Sequence, residues 1–353
     1  MKGRTLILSL VTVWLLVSCA TTPTPALPAT TISAPALPAT PIPASPTPAA
    51  TPTTAMTPTA TLIIWTGDHP TIQMDLIGTI KRGLTPLGEV RGVALDQAGD
   101  LYVVDRGNSR VLKFDRTGKV LLQWGSQGME NSQFDMSGNG AGFVAVDSLG
   151  NVYVTDNTHV QKFDSQGKFL IKWGSQGSGD GQFTLALAIA IDQQNDIYVV
   201  DIDNSNVQKF DGSGKFLLKW GGKGSGEGQF SRPTSVAIDT QGNVLVTDVD
   251  TGRLQKFDSN GRFLSQIFLG AVEGLVIGPV ALAVGDQGQI YIGEYANGRV
   301  DEFDSSGKLL AAWGNTGKYA EQMTEAGGLA LDKDGSVYVA DAFNNRVLKF
   351  HQH

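Results

Sequence analysis

The sequence predicts an all-β ring of six four-stranded antiparallel blades, a β-propeller whose last blade is completed by a strand from the amino-terminal side. Three observations lead there. One phrase recurs six times along the 353 residues, at a spacing of 45 to 51. Each copy divides into four short apolar runs separated by turn residues, with no helix-length periodic segment between them. The last copy stops one run short, while an unmatched apolar run precedes the first.

The clearest copy is VALDQAGDLYVVDRGNSRVLKFDRTGKVLLQWG, residues 93–125. Later copies begin at Val144, Ile189, Val236, Leu282 and Leu329. Within the first, VAL, LYVV, VLKF and VLLQW are the strand candidates. Gln97-Ala98-Gly99-Asp100, Gly107-Asn108-Ser109 and Arg116-Thr117-Gly118 are the turns between them. Glycine and asparagine suit such turns because they tolerate positive φ. Four strands per unit at this period match a propeller blade. The fourth run ends at Trp124, Trp173, Trp220, Ile267 and Trp313 in successive copies. The sixth copy ends at Val347-Leu348-Lys349-Phe350, three residues before the end of the sequence. Residues 61–66, leading into Trp65-Thr66-Gly67, carry the matching pattern and are expected to supply the missing outer strand. Closure of that kind removes the exposed edges of the ring.

Ahead of the repeats the composition is different. Lys2 and Arg4 precede the apolar run LILSLVTVWLLV, which is short for a membrane span and suits a signal peptide. The only cysteine, Cys19, follows directly, so no intrachain disulfide can form. Residues 20–60 are nearly all Ala, Pro, Thr and Ser and hold eleven of the fifteen prolines, with no charge and no glycine. Such a tract cannot offset its ordering entropy by burial, so it is expected to be a disordered, extended stalk. The expected organisation is a signal peptide at 1–18, a stalk at 19–60 and the propeller at 61–353.

Two resemblances follow from these residues. Leu16-Val17-Ser18-Cys19 resembles the bacterial lipobox. That implies cleavage before Cys19, acylation of its thiol, and anchoring to the bacterial cell membrane or outer membrane, outside the cytoplasm. The repeated phrase resembles the NHL repeat family over residues 61–353. The matching elements are Asp105, Asn108, Arg110-Val111 and Lys113-Phe114-Asp115, repeated as Asp341, Asn344, Arg346-Val347 and Lys349-Phe350. The runs GSQGSGDGQF and GGKGSGEGQF match the linker usual in that family. Departures are Ile267-Phe268 for Trp-Gly, Gly293-Glu294 where an Asp is usual, and His159 in place of the arginine.

Candidate chemistry is sparse. Asp105, Asp156, Asp201, Asp248 and Asp341 recur blade by blade. Groups that hold a fold recur in this way, whereas a catalytic group need occur only once. They are expected to accept hydrogen bonds in the following turn and to pair with its arginine. DQAGD, DSLGN, DQQND and DTQGN lack the spacing of a calcium loop and read as hairpin turns. No cofactor is expected, with calcium the residual possibility. Histidines stand only at 69, 159, 351 and 353, too few and too scattered to suggest a zinc site or a Ser-His-Asp set. Without Lys2 and Arg4 the chain has 25 basic and 34 acidic residues, a formal charge of −9, which opposes nucleic acid. Lys113, Lys162, Lys209 and Lys256 are expected on the outer blade surface.

The segments entering the first strand of each copy are the ones that vary, and specificity is written where variation sits on a constant scaffold. Arg91, Phe143, Arg232 and Glu325 are the candidate binding residues, although Phe143 also suits a core position and Arg232 a solvated one. The expected function is an envelope-anchored module or scaffold that recognises a protein, peptide or glycan. The alternative is a metal-assisted propeller lyase or hydrolase.

Overall fold

The computed structural model describes residues 73–77, 85–137, 142–269, 271–272, 275–276, 278–295, 297–317 and 322–351. These all belong to the second of the chain's two compact units, Met56–His353. Cys19, the stalk, the run 61–66, Trp65, His69 and His353 lie outside the described residues. Among the described residues no helix is long and apolar enough to cross a membrane.

Six four-stranded antiparallel sheets form the blades. Blade 1 comprises Val90–Leu95, Leu101–Asp105, Arg110–Phe114 and Val120–Trp124, counted from the axis outward. The inner strands of blades 2 to 6 are Val144–Val146, Ala186–Ile191, Pro233–Ile238, Pro279–Val284 and Ala326–Leu331. Each inner strand neighbours the next, and the sixth neighbours the first, so the ring closes. The second strands are buried along their whole length, as at LYVVD, VYVTD and IYVVD. The outer strands are more open, with mainly partly buried and exposed positions, and VLLQW alternates between the two. Inner strands approach so closely that a Cβ on Gly92 would lie 2.6 Å from Phe143 Cα, and one on Gly328 would lie 2.3 Å from the Arg91 carbonyl oxygen. The position therefore takes a small residue, and blades 3 to 5 use Ala188, Ser235 and Ala281 there.

The sixth blade is closed by an amino-terminal strand, but not by 61–66. Gln73–Ile77 occupies the place beside Arg346–His351, with Gln73 opposite His351 and Ile77 opposite Val347. The register explains the difference. Trp124 stands opposite Val111, and Val111 corresponds to Val347, so Ile77 holds the tryptophan position of blade 6, as Ile267 does in blade 4. Linker length agrees: Trp173 to Ala186, Trp220 to Pro233, Trp313 to Ala326 and Ile77 to Val90 are each thirteen positions apart.

The four tryptophans among the described residues pack between blades. Trp124 meets Tyr102 of its own blade edge-on at 6.3 Å and Phe163 of blade 2 at 5.8 Å. Trp173 and Trp220 repeat this with Phe210 and Phe257, and Trp313 does so with Phe350. The linkers plug the same seams with Phe134, Phe183, Phe230 and Met323, all fully buried. Gln161, Gln208 and Gln255 hold the linkers by accepting from the backbone N–H groups of Ser132, Gly181 and Gly228.

Candidate functional site: the mouth of the central channel

The repeated aspartates are structural acceptors. Asp105 receives the Gly88 N–H at 2.8 Å, Asn108 Nδ2 and Arg110 Nε at 2.8 Å. Asp341 takes the Thr324 N–H and Arg346 Nε, and Asp248 takes the N–H groups of Ser231 and Arg232. Each aspartate thus ties the incoming linker to the turn that follows it. In blade 2, His159 Nδ1 lies 3.2 Å from Asp156 Oδ1, where blades 1, 4, 5 and 6 place an arginine and blade 3 places Asn206. The DQAGD-type turns close on their own first aspartate: Asp147 accepts from the Leu149 and Asn151 N–H groups and from the Tyr153 hydroxyl.

The strand lysines depart from expectation. Lys113 and Lys209 are buried, and do not dress the outer surface. Lys113 Nζ bonds Asp96 at 3.0 Å and lies 4.9 Å from the Tyr102 ring centroid. A lysine stem can run along apolar surface while its ammonium finds a carboxylate, and an aromatic face adds to the attraction.

At one end of the channel lies a cavity of about 420 Å³. It is lined by one residue from the entrance of every blade: Arg91, Phe143, Leu187, Thr234, Val280 and Gly327. In five blades the strand pairing slips by one residue here, between Val90 and Val93, Ala186 and Ile189, Pro233 and Ser235, Pro279 and Ala281, and Ala326 and Gly328. A bulge bends the strand and re-aims the extra side chain. Around this ring stand Arg106, Ile202, Tyr295 and Phe343, which lie one or two positions after the repeated acidic residue.

Apart from Arg232 of blade 4, the charge at the mouth lies where blades 1 and 6 meet. Glu325 pairs with Arg91, Arg91 with Glu89 at 2.7 Å, and Glu89 with Arg106. The Arg91 guanidinium also lies 5.5 Å from the Phe343 ring centroid. Glu325 is only 1% exposed, and its second carboxylate oxygen has no hydrogen-bond partner among the described residues. Burial pushes the Glu325 carboxyl above its usual range, and Arg91 opposes that shift. The opposite wall is mainly apolar: Phe143, Leu187, Ile202, Val280 and the exposed ring of Tyr295. Thr234 adds no free donor, since its hydroxyl is 2.6 Å from the Pro279 carbonyl oxygen.

All four sequence candidates line this cavity. Arg91 and Glu325 are in contact, Phe143 also packs into the seams of blades 2 and 3, and Arg232 is held 3.5 Å from Asp250 with both side chains half-exposed. Arg106, Tyr295 and Phe343 line it too and are not among the residues the sequence points to. Their signal was the variation of the two residues inside the recurring Asp-x-x-Asn phrase. Among the described residues no three His, Cys, Asp or Glu side chains converge to hold a metal.

The NHL repeat model matches residues 87–114, 230–257 and 324–350, the cores of blades 1, 4 and 6. No curated protein sequence matches the chain significantly. Among solved structures, a streptogramin B lyase is similar at 14% identity and TM-score 0.55, over 80% of this chain and 98% of its own. Virginiamycin B lyase from Staphylococcus aureus is similar at 11% and 0.54, over 80% and 99%. A gluconolactonase from Xanthomonas campestris is similar at 12% and 0.59, over 80% and 90%. At these identities the likeness is one of fold, and fold does not carry function. With the repeat matched in three blades and the same plan built six times, the chain is a six-bladed β-propeller that carries NHL repeats.

Proposed function

We propose that the chain is an envelope-anchored binding module, held to a bacterial membrane through Cys19, that recognises a protein, peptide or glycan at the channel mouth. The observation that carries this reading is the ring of six non-equivalent positions, one per blade, five side chains and the bare Gly327, that line one cavity on an otherwise repetitive scaffold. A concave site with apolar walls and a few fixed polar groups is the general form of a binding pocket. The enzyme alternative needs a metal or a proton-transfer set. Glu325, buried with a raised pKa, is the one group of that kind at the mouth.

The test is a thermal-shift screen of the full chain in detergent against protein, peptide and glycan pools from bacterial envelopes. A pool that raises the melting midpoint of the wild type but not of Arg232→Ala or Tyr295→Ala supports the reading. Stabilisation by no pool, or equal stabilisation of all three proteins, refutes it.

A further inference from the structure

We infer that the channel-mouth cavity takes a neutral, hydroxyl-rich ring, a sugar residue, stacked on the exposed aromatic rim and hydrogen-bonded to Glu325. The inference rests on the binding reading above and names its ligand class. Three features of the cavity select that chemistry.

The first is the unpartnered oxygen of Glu325. A carboxylate oxygen buried without a donor is costly, and a ligand that supplies a donor recovers that cost. The donor can be a hydroxyl, an amide or a cation. The second feature separates these. Arg91, Arg106 and Arg232 all line the cavity, against Glu89 and Glu325, and Asp250 offsets Arg232. Formal charges at the mouth therefore balance. A ligand cation would meet three guanidinium groups, and a ligand anion would compete with Glu325 for Arg91. A neutral donor meets neither penalty. The third feature is the rim. Phe343 and Tyr295, on neighbouring blades 6 and 5, are 54% and 56% exposed and both line the cavity. A flat, weakly polar C–H face covers such rings, while hydroxyls at its edge reach Glu325 and Glu89. The volume of about 420 Å³ admits one or two sugar rings and not a folded domain. A peptide loop carrying a neutral side chain is the competing occupant, but it offers fewer donors to the acidic side of the mouth.

The experiment is saturation-transfer NMR and calorimetry on the full chain in detergent. The probes are glucose, N-acetylglucosamine and cellobiose, against glucuronate, glucosamine and the neutral peptide acetyl-Gly-Tyr-Gly-amide. The expected result is saturable binding of at least one neutral sugar with a dissociation constant on the order of 1 mM, weakened by about tenfold or more in Glu325→Gln and in Phe343→Ala. Phe343 is exposed, so its variant keeps the fold even if Glu325→Gln does not. No saturable binding of any neutral sugar overturns the inference. So does preference for glucuronate, glucosamine or the peptide, or binding indifferent to Phe343→Ala. The binding reading survives those outcomes if envelope pools still stabilise the wild type, and it falls only if they do not.

Discussion

Arg91 and Glu325 stand 234 positions apart in the chain and meet across the seam where the ring closes. Their pair shows what a residue-scale reading can reach. Glu325 is nearly inaccessible, so removing Arg91 leaves a buried carboxyl facing only the more distant Arg106. Arg91→Ala is expected to cost about 3 kcal/mol, near the lower end for breaking a buried pair. Arg91→Lys should recover only part of that, because lysine cannot span Glu89 and Glu325 with a planar fork. Chemical denaturation of the three proteins checks both statements. A second residue-scale prediction concerns blade 5, where Asp301 and Glu294 are both fully buried. Burial, reinforced by Glu294, raises the Asp301 carboxyl to about 8, with Arg299 pulling the other way. The folded protein then holds a proton that the unfolded chain has released, so stability falls as pH rises from about 4 to 8. Asp301→Asn should flatten that slope in melts across the window. An unchanged slope would show that Asp301 is ionised throughout.

At the scale of elements, the closing strand and the tryptophan seams decide stability. Without Gln73–Ile77, Arg346–His351 would be an open edge with unpaired backbone groups, which invites intermolecular pairing. Chains starting at residue 59 and at residue 80 should therefore differ sharply in melting midpoint, or the shorter one should aggregate. Equal midpoints would mean that the ring does not depend on this strand. Blade 4 has a different weakness. Leu245 and Ile267 replace the usual tyrosine and tryptophan, and a cavity of about 320 Å³ opens between blades 4 and 5 beside them. Gly307 lies against Ile267 as Gly167, Gly214 and Gly261 lie against Trp124, Trp173 and Trp220, where a Cβ would strike the indole. Space for the larger ring is thus already present. Ile267→Trp should fill the seam, gain about 0.5–2 kcal/mol and raise the midpoint by a few degrees. A fall would mean that the cavity is not available to the indole.

For the whole molecule, the proposed arrangement is a propeller displayed from a membrane by a long tether. Cys19→Ala is expected to abolish acylation and release the chain from the membrane fraction on cell lysis, as judged by mass analysis and fractionation. A variant that stays equally membrane-bound would remove the anchor from the proposal while leaving the fold and the channel mouth intact. Stable anchoring by acyl chains takes more than one chain.

By itself the sequence determined the architecture, because a propeller is written locally. Each blade is a run of adjacent hairpins, so strand number, turn residues and the recurring Asp–Asn–Arg lock all lie within one repeat. Recurrence of Asp105 and its counterparts marked them as scaffold, and their hydrogen bonds show why: each ties a linker to the next turn. Variation at the strand entrances likewise marked Arg91, Phe143, Arg232 and Glu325. What required tertiary structure was everything that depends on register or on contact between blades. Trp65 points to the wrong run for the closing strand, because the thirteen-position linker, and not the tryptophan, sets which run pairs with Arg346–His351. The bulges that turn the ring residues inward are slips of pairing, invisible in a single strand's pattern. The burial of Lys113 depends on Tyr102 and Asp96 lying across its own sheet. The Glu89–Arg91–Glu325 network depends on ring closure, which brings the beginning and the end of the folded sequence to one point.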